Sequence, residues 1–307
     1  MAVDKLVDSA VLDGYFSDIA DAIRDKDGTQ NTYTPAQMPQ AIEDIPTGGG
    51  GGDTFNEIVL SKTATTYTNN SFTDTIRDYA FYLSFNLREV NMPRATSIGS
   101  YVFNLCSALQ TVDLSSARSI GSSAFSGCSA LQTVDFSSVT GIAGNAFMNA
   151  FATDTEVSFP ALTQITGYNV FNGAKIKNIS FPNIISIGNS AFNSCRQLKS
   201  IICPKTLTTL GNQAFKNCVA LESIVFGGNL PSSGINSGTF AGCTACILYD
   251  FSNCTTIPPL LSSDVFTGIN ANAHIVVPDA LYNDWIAATN WSTYALHIIK
   301  KTDYDAL

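Results

Sequence analysis

The sequence predicts a repeat solenoid of about nine stacked units. Three observations predict it: an Ile-Gly signature recurs at nearly constant spacing, phenylalanine returns at a fixed place after it, and each unit ends in a short alternation of apolar and polar residues. Aligning on it gives unit starts at Ile76, Ile98, Ile120, Ile142, Ile165, Ile187, Leu210, Ile235 and Leu261, so units run from 22 to 26 residues. The clearest pair is Ile98–Ser119 (IGSYVFNLCSALQTVDLSSARS) against Ile120–Gly141 (IGSSAFSGCSALQTVDFSSVTG). Self-similarity at such a period marks an architecture of identical supersecondary units, none of which can bury its own apolar face.

The chain opens on a different composition. Residues 1–57 carry eleven acids against Lys5, Arg24 and Lys26, and so hold most of the net charge of −9. Residues 8–27 read as an amphipathic helix with Leu12, Phe16, Ile19 and Ile23 on one face, and Gly28 stands where a helix C′ residue belongs. Thr34-Pro35-Ala36-Gln37 has capping chemistry for a second, shorter helix on which Met38, Ile42 and Ile45 are apolar. This helical anchor module (1–47) is too small to bury much core by itself, so its apolar face is expected to dock on a partner or self-associate. Gly48–Gly52 then forms a flexible joint. It lacks the Lys-Ser/Thr of a phosphate-binding loop. Residues 6–45, with their V-D-S…I-A-D-A-I-R…T-P-x-x-M-x-x-A-I pattern, resemble the N-terminal module of tail, fibre and structural proteins of phages and prophages of Gram-positive gut bacteria. That resemblance implies attachment to a virion capsid or tail protein.

Residues 53–75 read as an N-terminal cap, with strands at Phe55–Ser61 and Thr63–Thr68 before Asn69-Asn70. The repeats follow over 76–277. In the unit beginning at Ile98 the apolar slots are Phe103, Cys106, Leu109, Val112 and Leu114, and Leu-Gln-Thr-Val-Asp-Leu reads as a period-two strand. Phe81, Phe103, Phe125, Phe147, Phe192, Phe215, Phe240 and Phe266 share one slot, with Phe171 one place late. Six buried side chains at roughly 1.5–3 kcal/mol each give a gross ~10 kcal/mol per unit. Ordering the backbone opposes this with a cost of similar or larger size, so stacking is required. After a strand at His274–Val277, Pro278 can open a helix at its first position, with Leu281, Trp285 and Ile286 covering the last unit and Trp291, Tyr294 and Ile298 closing the end (278–307).

The pattern I-G-x-x-A-F-x-x-C-x-x-L-x-x-V-x-L/F resembles the leucine-rich repeats of the BspA-like, Treponema-type class. It implies a leucine-rich-repeat solenoid, a β-rich right-handed α/β superhelix, and a non-enzymatic surface or adhesion role. Ala150 and Gly173 depart from the pattern at the cysteine slot.

Composition narrows the function further. Charged residues are 13% of the chain, against roughly 25% in an ordinary domain. Residues 58–307 are nearly neutral, with no basic stripe along the chain of the kind nucleic acid requires. No apolar run approaches the ~20 residues of a membrane span. The first ten residues, Met-Ala-Val-Asp-Lys-Leu-Val-Asp-Ser-Ala, lack the basic-then-apolar order of a secretory signal.

Eight cysteines and a formal C-x-x-C, Cys243-Thr-Ala-Cys246, raise metal and disulfide readings. The register opposes both. Cys106, Cys128, Cys195, Cys218 and Cys243 share the ninth position of their units, Cys246 takes the slot of Leu109, Cys203 that of Leu114 and Cys254 that of Ala117 and Val139. All are expected as small buried apolar groups. His274 and His297 fall in terminal strands without a nucleophile motif, and Asp113 and Asp135 recur by repeat spacing alone. Asp25-Lys26-Asp27-Gly28 lacks the distal acids of a calcium loop. No catalytic, cofactor or metal residue is assigned.

What remains is surface. Between the inward slots of the strands, one outward column reads Glu89, Thr111, Thr133, Glu156, Asn178, Ser200, Ser223, Leu248, His274, and the next Asn91, Asp113, Asp135, Ser158, Ser180, Ile202, Val225, Asp250, Val276. Ile202, Val225, Leu248, His274 and Val276 mark a candidate contact face, unless the longer last units fold over it. The sequence thus predicts a virion-associated fibre-like protein that meets a host-surface protein or glycan, with a bacterial surface adhesin as the alternative, and allows a homo-oligomer.

Overall fold

The computed structural model describes residues 64–69, 75–230 and 234–307. The anchor module (1–47), the glycine joint (48–52) and the expected strand at Phe55–Ser61 lie outside the described residues.

Each coil gives a strand to a broad sheet face, and the coils up to Leu210 also give a two-residue strand to a second face. The broad face collects β1 (Thr66–Thr68), β3 (Glu89–Asn91), β5 (Thr111–Asp113), β7 (Thr133–Val134), β9 (Thr155–Ser158), β11 (Ile176–Ser180), β13 (Ser200–Cys203), β15 (Ser223–Phe226), β16 (Leu248–Asp250), β17 (His274–Val277) and β18 (Ile298–Lys300). The second face collects the two-residue strands β2 (Thr75–Ile76), β4 (Ser97–Ile98), β6 (Ser119–Ile120), β8 (Gly141–Ile142), β10 (Gln164–Ile165), β12 (Ser186–Ile187) and β14 (Thr209–Leu210). Successive coils pair in parallel, with Val90 opposite Val112 and Ile98 opposite Ile120, so the chain forms a β-solenoid of about ten turns.

The third side of a coil is a ladder of turns. Phe103 N–H donates to the Ala124 carbonyl at 2.7 Å and Phe125 N–H to Ala146 at 2.8 Å. Three ladders together satisfy a backbone that is otherwise mostly buried. Described α-helix is confined to the C-terminal end.

The Ile-Gly signature has a steric cause. The isoleucines point inward and are buried. The glycine lies directly against the previous coil: a Cβ on Gly121 would stand 2.4 Å from the Gly99 carbonyl carbon. In the unit of Ile165 the glycine comes one residue later, and a Cβ on Gly167 would meet Gly144 N at 2.4 Å. In this unit phenylalanine is shifted along with the glycine, so Phe171 is one place late. That shift also corrects the cysteine slot: buried Ala174, not Gly173, occupies it, while Gly173 takes the neighbouring left-handed position at φ 68°. At the far end the register is one residue earlier than the sequence pattern suggests. Leu260 bridges Ile235 and is buried, whereas Leu261 is exposed.

Inside, the phenylalanines stack coil on coil, from Phe81–Phe103 with centroids 5.1 Å apart to Phe240–Phe266 at 5.3 Å. Beside them runs a thiol ladder. Sγ of Cys106 donates to the Phe81 carbonyl at 2.9 Å, Cys128 to Phe103 at 3.0 Å, Cys195 to Phe171 at 2.9 Å, Cys218 to Phe192 at 3.1 Å and Cys243 to Phe215 at 3.1 Å. Each thiol therefore bridges adjacent coils.

The broad face is interrupted once. β7 closes a four-stranded sheet and β9 opens a seven-stranded one, whereas the second face runs unbroken from β2 to β14. The unit between them holds an extra residue, buried Phe151 at φ 72°, whose ring lies 5.4 Å from Phe147. Phe151 and Ala152 donate to the Cys128 and Leu131 carbonyls in place of strand pairing.

The C-terminal end is a capping layer. A 3-10 turn (Asp279–Leu281) after Pro278 leads into α1 (Tyr282–Ala287), and a second 3-10 stretch covers Trp291–His297. Trp285 and Trp291 are fully buried, and Trp291 Nε1 donates to the Pro258 carbonyl at 2.8 Å. The chain then returns to the broad face as β18 and ends in α2 (Lys301–Tyr304) and three further residues.

Candidate ligand-binding face

Pairing sets the outward columns in register on either side of the break between β7 and β9. Asn178, Ser200, Ser223, Leu248 and His274 are successive partners along β11, β13, β15, β16 and β17, and Ile202, Val225, Asp250 and Val276 form the column beside them. Ile202 is 72% exposed, and Val225 and Leu248 are half-buried.

Two residues of the expected patch sit differently. Val276 is fully buried, so it leaves the exposed face. β18 pairs beside it, Val276 opposite Ile299, and α2 packs against β17. His274 is half-buried, with the Tyr304 ring 5.5 Å away edge-on. The tail is pinned by Asp279, whose carboxylate accepts Thr302 N–H at 3.1 Å and its hydroxyl at 2.5 Å. Those bonds hold the Asp279 carboxyl below its ordinary range. Cover over the end of the face thus comes from the terminal tail rather than from the longer units. Its sequence signal was Ile298-Ile299-Lys300, a short strand candidate after the second tryptophan.

The rest of the face is flat. Asn178 Nδ2 donates to Glu156 Oε1 at 2.7 Å, beside a shallow open depression lined by Ser158 and Ser180. The aspartates serve the backbone: Asp113, Asp135 and Asp250 each accept the N–H two residues on, at 3.2, 2.8 and 2.8 Å. A surface of this kind can hold a macromolecular partner through spread contacts.

The thiols lie on the other side of the sheet. All eight are free and buried. Burial pushes the Cys106 and Cys246 thiols up to about 12 and Cys254 to about 11, so at neutral pH they are protonated hydrogen-bond donors rather than nucleophiles or metal ligands. Among the described residues no group of three or more His, Cys, Asp or Glu is arranged to hold a metal. His297 sits at the end of the second 3-10 stretch rather than in a strand, with Nδ1 3.0 Å from the Ala273 carbonyl. Leu12, Phe16, Ile19 and Ile23 lie outside the described residues.

The repeat geometry agrees with a direct comparison. The BspA type leucine rich repeat region matches residues 51–173 and 163–282. The chain belongs to the BspA-type leucine-rich-repeat family. No curated protein matches the sequence. Among solved structures, a leucine rich cell surface protein from Faecalibacterium prausnitzii is 19% identical over 79% of this chain and 90% of its own, with a TM-score of 0.50. A leucine-rich repeat protein from Bacteroides ovatus is 17% identical over 74% and 77%, with a TM-score of 0.40. The T. pallidum leucine rich repeat protein is 18% identical over 61% and 69%, with a TM-score of 0.32. At these identities the first likeness speaks to fold, which for this BspA-type chain is the stacked parallel coil. Among the described residues no helix is long and apolar enough to cross a membrane.

Proposed function

We propose that this BspA-type solenoid is a non-enzymatic binding module displayed at a cell surface, with the broad face as its recognition surface. One observation carries the reading: from β11 to β16 the outward columns form a continuous flat array of hydroxyl, amide and aliphatic groups, on which Ile202 stands 72% exposed. A large exposed aliphatic among small polar neighbours suits a protein or glycan partner. The name of the Faecalibacterium relative, a cell surface protein, favours the same setting.

The test is labelled full-length chain applied to intact cells, host and bacterial, in competition with unlabelled chain. Saturable binding that Ile202→Asp with Ser223→Lys abolishes, and Ser119→Lys on the second face leaves intact, supports the face. Equal loss in both variants, or no competable binding, overturns it.

A second reading keeps the acidic N-terminal module as a virion anchor, supported by the sequence pattern of residues 6–45. In that reading Leu12, Phe16, Ile19 and Ile23 insert into a groove on a capsid or tail protein and the solenoid meets the host. Deleting residues 1–47 should then remove the protein from purified particles while the repeats stay folded. A deleted form that co-purifies at the normal ratio excludes it.

A further inference from the structure

Charge along the solenoid is arranged in blocks. Residues 64–156 hold seven acids and four bases, residues 157–221 hold six bases and no acid, and residues 222–307 hold seven acids and two bases. Folding gathers four of the six bases onto two adjacent coils. Lys199 N–H donates to the Lys177 carbonyl at 2.9 Å, which places Lys177 and Lys199 side by side where the chain enters β11 and β13. Lys175 and Arg196 each follow the small buried residue of the cysteine slot, Ala174 and Cys195, and are exposed in matching positions. Lys177 and Lys199 face Asp154 at 3.8 Å and Glu222 at 2.5 Å in exposed pairs, which exchange partners easily.

Ile202 lies on the same face, three residues beyond Lys199 and three before Lys205. Lys205 is exposed, and the next coil sets Gly227 and Gly228, which have no side chains, against it. The most exposed aliphatic of the broad face is thus flanked by bases at both ends of its strand, and half-buried Val225 adjoins it.

We infer that the β11–β15 segment of the broad face binds an acidic segment of a partner protein, whose carboxylates meet Lys175, Arg196, Lys199 and Lys205 while an apolar side chain seats against Ile202. This rests on the proposed recognition role of the face. Charge complementarity selects the occupant: the acidic blocks on either side repel the same segment, so they fix its register on the middle coils. The aliphatic centre favours a peptide over a polyanion, which would need only the bases, and no aromatic platform for sugar stacking lies among these residues.

The test uses full-length protein and three fluorescent probes of equal charge: a glutamate peptide with interspersed leucines, a plain oligoglutamate, and a single-stranded oligonucleotide. The leucine-containing peptide is expected to bind at least tenfold more tightly than the other two, and to weaken with salt. Lys175→Glu with Arg196→Glu should reduce its affinity at least tenfold, Ile202→Ser should reduce it severalfold, and Arg118→Glu should leave it unchanged, all with unaltered melting. Equal binding of all three probes, no effect of the Lys175/Arg196 pair, or no binding overturns the inference. The cell-binding assay separates it from the broader proposal: if the charge-reversed pair still binds cells and Ile202→Asp with Ser223→Lys does not, the face is the recognition surface and its partner is not acidic.

Discussion

The inside and the outside of each coil follow different rules, although one chain turn builds both. Inward, the slots hold phenylalanine, isoleucine or leucine, and in most coils cysteine or alanine, and the phenylalanine rings stack on copies of themselves. Outward, the column from Glu89 to His274 mixes acid, hydroxyl and amide groups before it reaches Leu248 and His274. Repetition is what the fold needs, because each coil is covered only by its neighbours. Departure from repetition is free to encode recognition, because a half-solvated strand face tolerates many side chains.

The sharpest way to break that comparison is to truncate one inward and one outward residue. Phe192→Ala removes a fully buried ring stacked on Phe171 at 5.1 Å and Phe215 at 5.2 Å, and leaves a cavity between rigid coils. The expected cost is about 3–5 kcal/mol, read as a large fall in the urea midpoint. Ile202→Ser, on β13 and facing water, should move the midpoint by less than about 0.5 kcal/mol equivalent. Similar losses in both would mean that the broad face is packed against something.

Gly121→Ala comes next. The added methyl would meet backbone, the Gly99 carbonyl carbon at 2.4 Å, so the coils must separate locally. A loss of about 1–3 kcal/mol is expected from such overpacking. Gly141→Ala is the control, since nothing lies within 4 Å of its Cβ position. Its stability should be nearly unchanged.

These contrasts also explain what could be read in advance. The Phe, Ile-Gly and Cys slots were legible because they repeat, and one coil's geometry predicts the next. The outward columns followed from the period-two strand, and pairing places them as expected. Singular features were not legible. Burial of Val276 depends on a tail that returns only once, and the start at Leu260 lies where unit length has drifted to its greatest value. The basic band is not legible for another reason: its six residues are spread over 42 positions, and only coil stacking brings four of them together.

The thiol ladder offers a gentler test of the inside. Burial raises Cys254 from 9.0 to about 11 and Cys106 and Cys246 to about 12, so the folded state holds these protons more tightly than the unfolded chain. The resulting contribution is complete below pH 9 and is lost as pH rises through 11 to 12. The urea midpoint should therefore hold steady from pH 7 to about 9 and then fall. At pH 7.5 a thiol reagent should label the native protein slowly and find eight groups after denaturation. Rapid native labelling would place at least one cysteine outside the ladder.

The smallest expected effect separates the solenoid from what precedes it. The described coils form a unit that begins at Ala64, and their inward slots are filled from Ile76 onward by residues of the repeats themselves. β1 already supplies a parallel neighbour for β3, with Tyr67 opposite Val90 and its ring 5.0 Å from Phe81, so the first full coil is covered by residues close to it in sequence. If the repeats carry their own stability in this way, a fragment of residues 53–307 should be soluble and melt within a degree or two of the full chain, with the same cooperativity. Calorimetry of the two proteins at equal concentration decides it. A fragment that aggregates, or melts much earlier, would show that the first coils need residues 1–52 for cover, and the border between fold and function would then lie before the solenoid rather than between its inner and outer faces.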